Sequence, residues 1–345
     1  MKTKLTRAMN NKVGRVTLCA PQHDDTTTAR RGLTRPAIIK RAALLALLST
    51  LHPQLSIFAQ GSLTPPGTPA PTMKSLDQVE ARTPISTVPI LITNSGSYYL
   101  TANFTVGTGV NAIFIMTNGV TLDLNGFTLS STGASANATG VLINDGLSDI
   151  TILNGHIKSG IINIGSTFGG TGFGFGIYAV GASPVNVLVS QVTVSGVLHD
   201  GINLGIFASG AKTTAVKSCT VNVAGEVGIA ATTVADSTAL NCGGTAISGW
   251  AVQNCHGSSV GSGDGIDAYT AQNCSGDSSS SDGMKVFANA NNCSGASSTG
   301  IGLVADTASF CTGSRLNGTA IKATVATGCH AINGTNNITF KYNMP

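Results

Sequence analysis

Between Ile229 and Ile338 an apolar residue, generally preceded by a small one, returns at a nearly fixed interval. The pairs are Gly228-Ile229, Ala246-Ile247, Gly265-Ile266, Gly283-Met284, Gly302-Leu303, Ala320-Ile321 and Asn337-Ile338, at steps of 18, 19, 18, 19, 18 and 17. About ten residues before most of them stands a cysteine: Cys219, Cys255, Cys274, Cys293, Cys311 and Cys329. Such a period marks a solenoid, in which one coil cannot bury its own apolar face and stacks on its neighbours to do so. Cys242 breaks the cysteine spacing but not the apolar one. Ser237 stands in the vacant slot, ten residues before Ile247, and Cys242 belongs elsewhere on its coil.

Upstream the coils lengthen. Val120–Leu129 (VTLDLNGFTL) and Ile150–Ile157 (ITILNGHI) superimpose through Leu124-Asn125-Gly126 and Leu153-Asn154-Gly155, a step of 29. Residues 130–138 and 165–176 read as loop-like insertions, and Val185–Val194 (VNVLVSQVTV) leads through Asp200-Gly201-Ile202 into the short coils. The division expected is an export signal over 1–59, a Pro-rich linker over 60–74, an N-terminal cap over 75–89 and the solenoid over 90–345. Ser75 and Gln78 have the spacing of a capping box, which predicts a short helix covering the open end of the first coil, ended by Pro84 and Pro89.

Composition supports strands over helices. The chain has 43 Gly, 42% hydrophobic, 5% aromatic and 10% charged residues, so its core must be regular stacks of small aliphatic side chains. The net charge of +4 misleads: residues 1–59 carry ten Lys/Arg and two Asp, a balance of +8, which leaves −4 for the rest. Without those residues no basic surface for nucleic acid remains. The leader has a long basic region ending in Lys40-Arg41, an apolar run Ala42–Leu51 too short to span a bilayer, and a cleavage site expected after Ala59. An exported mature chain with no transmembrane segment follows, at the cell surface, in the periplasm or outside the cell.

The strands VTLDLNGFTL and ITILNGHI, followed by the repeated G-I and N-C-S-G segments, resemble right-handed parallel β-helix proteins of the pectin-lyase-like superfamily. Residues 65–85 and Gly96–Leu100 (GSYYL) are similar to the opening of exported bacterial β-helix proteins of unassigned activity. The resemblance implies an all-β, right-handed parallel β-helix with a short N-terminal capping helix. It implies no single activity, since lyases, hydrolases, adhesins and binding proteins share that fold. Neither the Gly-His-Gly nor the Arg-x-Lys of the polygalacturonases is present, and beyond the leader the arginines are Arg82 and Arg315.

The coil register itself selects one patch. Asp264 and Asp282 precede the Gly of the apolar pair on adjacent coils, which predicts carboxylates within roughly 5 Å of each other and makes them candidates for acid and base or for a shared calcium ion. Asp267 and Lys285 follow the apolar residue, and Tyr269 and Phe287 come two further on. An acidic pair, an opposed Asp/Lys pair and two aromatics are the parts of a sugar or calcium site, with Lys285 a candidate lyase base. Against this, Asp-Gly is a common turn pair, and a turn repeated in two coils puts Asp in one slot twice without any function. His199 and Asp200 hold the same turn slot three coils earlier, roughly 14 Å away, under the 165–176 segment. The cysteines read as a column of buried thiols rather than disulfides or a zinc site, because ladder side chains point in parallel and no CxxC is present.

These features lead to an expected function. It is a monomeric, non-catalytic polysaccharide-binding or surface-structural module with no required cofactor; a polysaccharide lyase or glycoside hydrolase is the alternative.

Overall fold

The computed structural model describes residues 81–134, 136–181, 184–205 and 213–344. The expected export signal, linker and Ser75 helix start lie outside these residues. Within them the chain forms 29 strands and no helix, and 27 of the strands belong to one continuous ladder. Every pairing in that ladder is parallel, each strand bonding to its equivalent one coil away, so the fold is a parallel β-helix. Strands begin at Thr83–Ile85, inside the segment expected to be the cap, and this first strand already pairs with Gly96–Leu100.

The apolar column is the spine of the core. Ile229, Ile247, Ile266, Met284, Leu303 and Ile321 are register partners in sequence order, and all are fully buried. The column continues upstream through Ile202, Ile177, Val141, Ile113 and Ile90, so the long coils obey the same register with insertions between rungs. At the C-terminal end the register departs from the sequence ladder. Ile321 pairs with Asn336 and Ile338 with Ala323, in regular register after an irregularity between Thr319 and Ile321. The last coil is thus 15 residues long, shorter than the step of 17 read from the sequence, so Ile338 falls two positions past the column.

A similar slip occurs earlier. Val120 pairs with Ile150 and Asp123 with Leu153, while Thr128 pairs with His156. Leu124 and Leu153 are therefore not equivalent. Leu124 is buried over Gly155, where a Cβ would come within 2.3 Å of the Leu124 Cβ, and only glycine leaves room for it. The segment 165–176 also resolves into two parts. Ile162–Ile164 and Thr167–Gly169 form an antiparallel hairpin, and Phe173–Ala179 is a ladder strand with Phe173 and Ile177 buried. The hairpin lies along the coils: Asn163 Nδ2 donates to Asn241 Oδ1 at 2.6 Å, Ser166 Oγ to the Val260 carbonyl at 3.0 Å, and Phe168 rests on Gly243.

One turn is built from side-chain amides. Ser218, Asp236, Asn254, Asn273, Asn292 and Phe310 all have φ between 50° and 53° on successive coils, a conformation that Asn and Asp tolerate far better than other side chains. Asn254 Nδ2 donates to Asp236 Oδ1 at 2.9 Å, Asn273 Nδ2 to Asn254 Oδ1 at 3.0 Å, and Asn292 Nδ2 to Asn273 Oδ1 at 3.0 Å. Immediately inside this ladder runs the column Cys219, Ser237, Cys255, Cys274, Cys293, Cys311 and Cys329, placed by the register of the residues that follow them. All seven described cysteines are free and buried. Ser237 fills the vacant slot, accepting from the Cys219 N–H at 3.1 Å. Cys242 lies in a separate inward column between Ala224 and Ser259. Burial pushes the Cys219 thiol up to about 11 and the Cys242 thiol up to about 12.

Two outcomes follow. Asn273→Val forces a β-branched residue into a left-handed turn and breaks two ladder bonds, and should destabilise the protein by about 2–4 kcal/mol in urea unfolding, whereas Asn273→Gly should cost less than half as much. In the native protein at pH 8 the described cysteines should resist an aromatic disulfide reagent, and all seven should react once the chain is denatured without reductant.

Candidate functional site

The strands Ile247–Gln253, Ile266–Gln272 and Met284–Asn291 alternate inward and outward over their first three residues and then turn. In Ile266–Gln272, Ala268 and Ala271 are buried while Tyr269 and Thr270 both face outward, so the strand bends at a corner. The neighbouring strands bend at the same place, and Met284–Asn291 does so with one extra residue between Val286 and Asn289. The corner presents Trp250, Tyr269 and Phe287 on three successive coils. The Trp250 and Tyr269 rings stack with centroids 4.0 Å apart and planes 7° from parallel. Tyr269 and Phe287 are 41% and 57% exposed.

Beside these rings runs a groove of about 320 Å³, lined by Ser248, Gly249, Ala268 and Asp267 together with the three aromatics. Asp267 is half-buried, and its Oδ1 is cut off from solvent with no hydrogen-bond partner. Its carboxyl is held above the usual carboxylate value, first by burial and then by the nearby Asp264 charge, with Lys285 pulling the other way. Asp267 and Lys285 are register partners, yet they form no ion pair within 4.0 Å. The lysine instead turns along its own strand, with Nζ 5.2 Å from the centre of the Phe287 ring. A cation over an aromatic face competes well with a half-exposed carboxylate, because both arrangements leave the ammonium partly hydrated.

The acidic pair has a different role from the rest of the patch. Asp264 Oδ1 accepts from the Asp282 N–H at 3.0 Å and from the Ser281 hydroxyl. Asp282 Oδ1 accepts from the Ile301 N–H at 2.7 Å. Asp200 repeats the arrangement, its Oδ1 accepting from the Val227 N–H at 3.1 Å. In each case a turn carboxylate satisfies the backbone of the following coil just before the ladder strand begins. The turn chemistry that the sequence offered for these aspartates thus accounts for the Oδ1 atoms of all three. Among the described residues no group of three or more His, Cys, Asp or Glu is placed to hold a metal ion.

His199 and Asp200 stay apart from the groove. His199 faces outward beneath the segment it was expected to meet: its backbone N–H donates to the Gly174 carbonyl at 2.8 Å, and its ring stacks on Phe175 at 4.9 Å. Its Nδ1 is 2.8 Å from Glu226 Oε1. Asp200 points inward, accepts from Asn203 Nδ2 at 2.8 Å, and is held above the usual carboxylate value by burial.

Of the predicted patch, the structure brings Asp267, Tyr269 and Phe287 into one groove with Lys285 on its flank, and assigns Asp264 and Asp282 to the turn behind it. Trp250 completes the groove and escaped the sequence reading. It is the single tryptophan of the chain and lies 19 residues before Tyr269, one ladder step, so the register held the signal.

No protein-family model and no curated protein matches the chain. Among solved structures it is similar to the enzymatically active domain of tailspike protein 2 of bacteriophage CBA120, at 14% identity and a TM-score of 0.33, over 72% of this chain and 41% of that one. It is also similar to GH136 lacto-N-biosidase from Eubacterium ramulus, at 12% identity and a TM-score of 0.39, over 75% of this chain and 58% of that one. The chain spans less than two thirds of the length of either. At these values the likeness carries no argument, and the fold rests on the strand register.

The two kinds of aspartate should respond oppositely to substitution. Asp264→Ala leaves a backbone N–H and a hydroxyl unpaired and should destabilise by about 1–3 kcal/mol. Because the folded Asp267 carboxyl is raised above 3.8, its ionised form opposes folding at neutral pH, and that cost disappears as pH falls below the unfolded value. Asp267→Asn should therefore raise the melting temperature at pH 7, and the difference from the parent should close below about pH 4.

Proposed function

We propose that the protein is an exported β-helix that binds polysaccharide along the Trp250–Tyr269–Phe287 corner without cleaving it. The observation that carries this reading is the unpartnered Asp267 Oδ1 beside a pre-stacked aromatic wall. Burial of that oxygen without a hydrogen bond costs about 1–3 kcal/mol, and a ligand hydroxyl recovers it once the carboxylate turns toward the groove that Asp267 lines. A pyranose supplies both halves of the match, hydroxyl donors for Asp267 and Ser248 and a C–H face for the aromatic rings. The stack is ordered by its own ring contact, so little side-chain entropy remains to be lost on binding.

A binding role is favoured over a lyase or hydrolase because the pair best placed in sequence to act as acid and base, Asp264 and Asp282, is occupied in holding coils together. The groove lies along the solenoid axis, so a glycan chain laid in it would meet equivalent positions on consecutive coils about 4.8 Å apart.

Native gels cast with xylan, hydroxyethyl cellulose, laminarin, alginate or polygalacturonate test the proposal. At least one should retard the protein, equally in calcium and in chelator. Trp250→Ala should weaken that retardation about 10-fold, or about 1.4 kcal/mol, and Asp267→Asn by a few-fold, since the amide oxygen still accepts. Mobility unchanged in every gel would sink the reading. Release of reducing or unsaturated ends that vanishes in Asp282→Asn would replace it with an enzyme.

A further inference from the structure

Phe310 is out of keeping with its column. The slot holds the small Ser218, then Asp236, Asn254, Asn273 and Asn292 on the preceding coils and Gly328 on the next; Phe310 takes φ 53° there with a bulky aromatic side chain. It also ends the amide ladder, because Asn292 Oδ1 has no neighbouring amide to accept from. The ring is not in the core: the residue is 65% exposed. It lies over Gly328, where a Cβ would come within 2.9 Å of the ring, so the glycine on the next coil provides the seat.

The ring closes one end of a second groove, of about 470 Å³, on the amide turn rather than at the aromatic corner. One side is the Asn254, Asn273 and Asn292 ladder, each of whose amides gives one N–H to its neighbour and retains a second. The other side is a row of register partners, Thr238, His256, Ser275, Ser294 and Thr312, whose polar side chains recur once per coil. Donors and acceptors at coil spacing leading to one exposed aromatic face suit a polyhydroxylated, unbranched ligand better than an apolar or strongly charged one. Strain held at an exposed residue, where Asn would fit and would extend the ladder, points to a use for that residue.

We propose that Phe310 is the stacking platform of a second saccharide subsite, running along the asparagine ladder and separate from the Trp250 groove. This rests on the glycan reading above, and the test separates the two. In the same gels, with whichever of those five polysaccharides retards the parent, Phe310→Asn should weaken retardation about 3- to 10-fold, and Phe310→Trp should retain it. The loss should multiply with that of Trp250→Ala in the double variant. Phe310→Asn should at the same time melt at a higher temperature than the parent, because it relieves the backbone and adds a ladder rung, so weaker binding cannot be put down to misfolding. If Phe310→Asn binds as the parent does while Trp250→Ala is weakened, the second subsite is overturned and the first stands. If no polysaccharide retards the parent, both are overturned.

Discussion

Everything in this molecule depends on parallel backbone pairing between a strand and its equivalent one coil away. That pairing places like residues on top of each other at a fixed spacing, so the side chain chosen at one rung constrains the rung above and below. An isoleucine under an isoleucine continues one fully buried column. An asparagine under an asparagine passes a hydrogen bond along the axis. A tryptophan over a tyrosine stacks. With few aromatics and few charges to use, the chain gains stability by repeating small, well-fitting contacts many times.

The same constraint gives the aspartates their meaning. A turn between two stacked strands exposes backbone N–H groups that the ladder does not reach, and a carboxylate one coil earlier is well placed to accept from them. Asp200, Asp264 and Asp282 all do this. Asp267 sits on the outward face of a strand whose own ladder is already complete, so its shielded oxygen has nothing in the protein to accept from. Four carboxylates at or beside the same turn of the coil thus divide into structural caps and one unfulfilled acceptor, according to whether a backbone donor lies within reach.

A feature of this chain is legible in the sequence to the extent that it repeats. Column identity from Ile229 to Ile321 was legible, as was the substitution of Ser237 for a cysteine, because a solenoid converts a constant step into a constant position. The register failed where that step is broken by local geometry. Leu124 and Leu153 look equivalent in two LNG segments, yet a tight turn around Asn125 shifts one against the other. Ile338 looks like the next rung after Ile321, yet a shorter last coil gives that rung to Asn336 and puts Ile338 opposite Ala323. Bulges and turns change which residue faces inward without changing composition, and nothing in a linear pattern marks them.

By itself the sequence determined the architecture, the content of the core and the thiol column, since each follows from periodic identity. It also named Asp267, Tyr269 and Phe287 as neighbours. Only the tertiary structure decided which aspartates were already satisfied, that Lys285 turns to an aromatic ring instead of to Asp267, and that Trp250 and Phe310 stand beside grooves. Those outcomes depend on where a strand bends, how deeply an oxygen is shielded and which of two partners is nearer. They are distances and exposures set by the stacked coils together, and no residue specifies them alone.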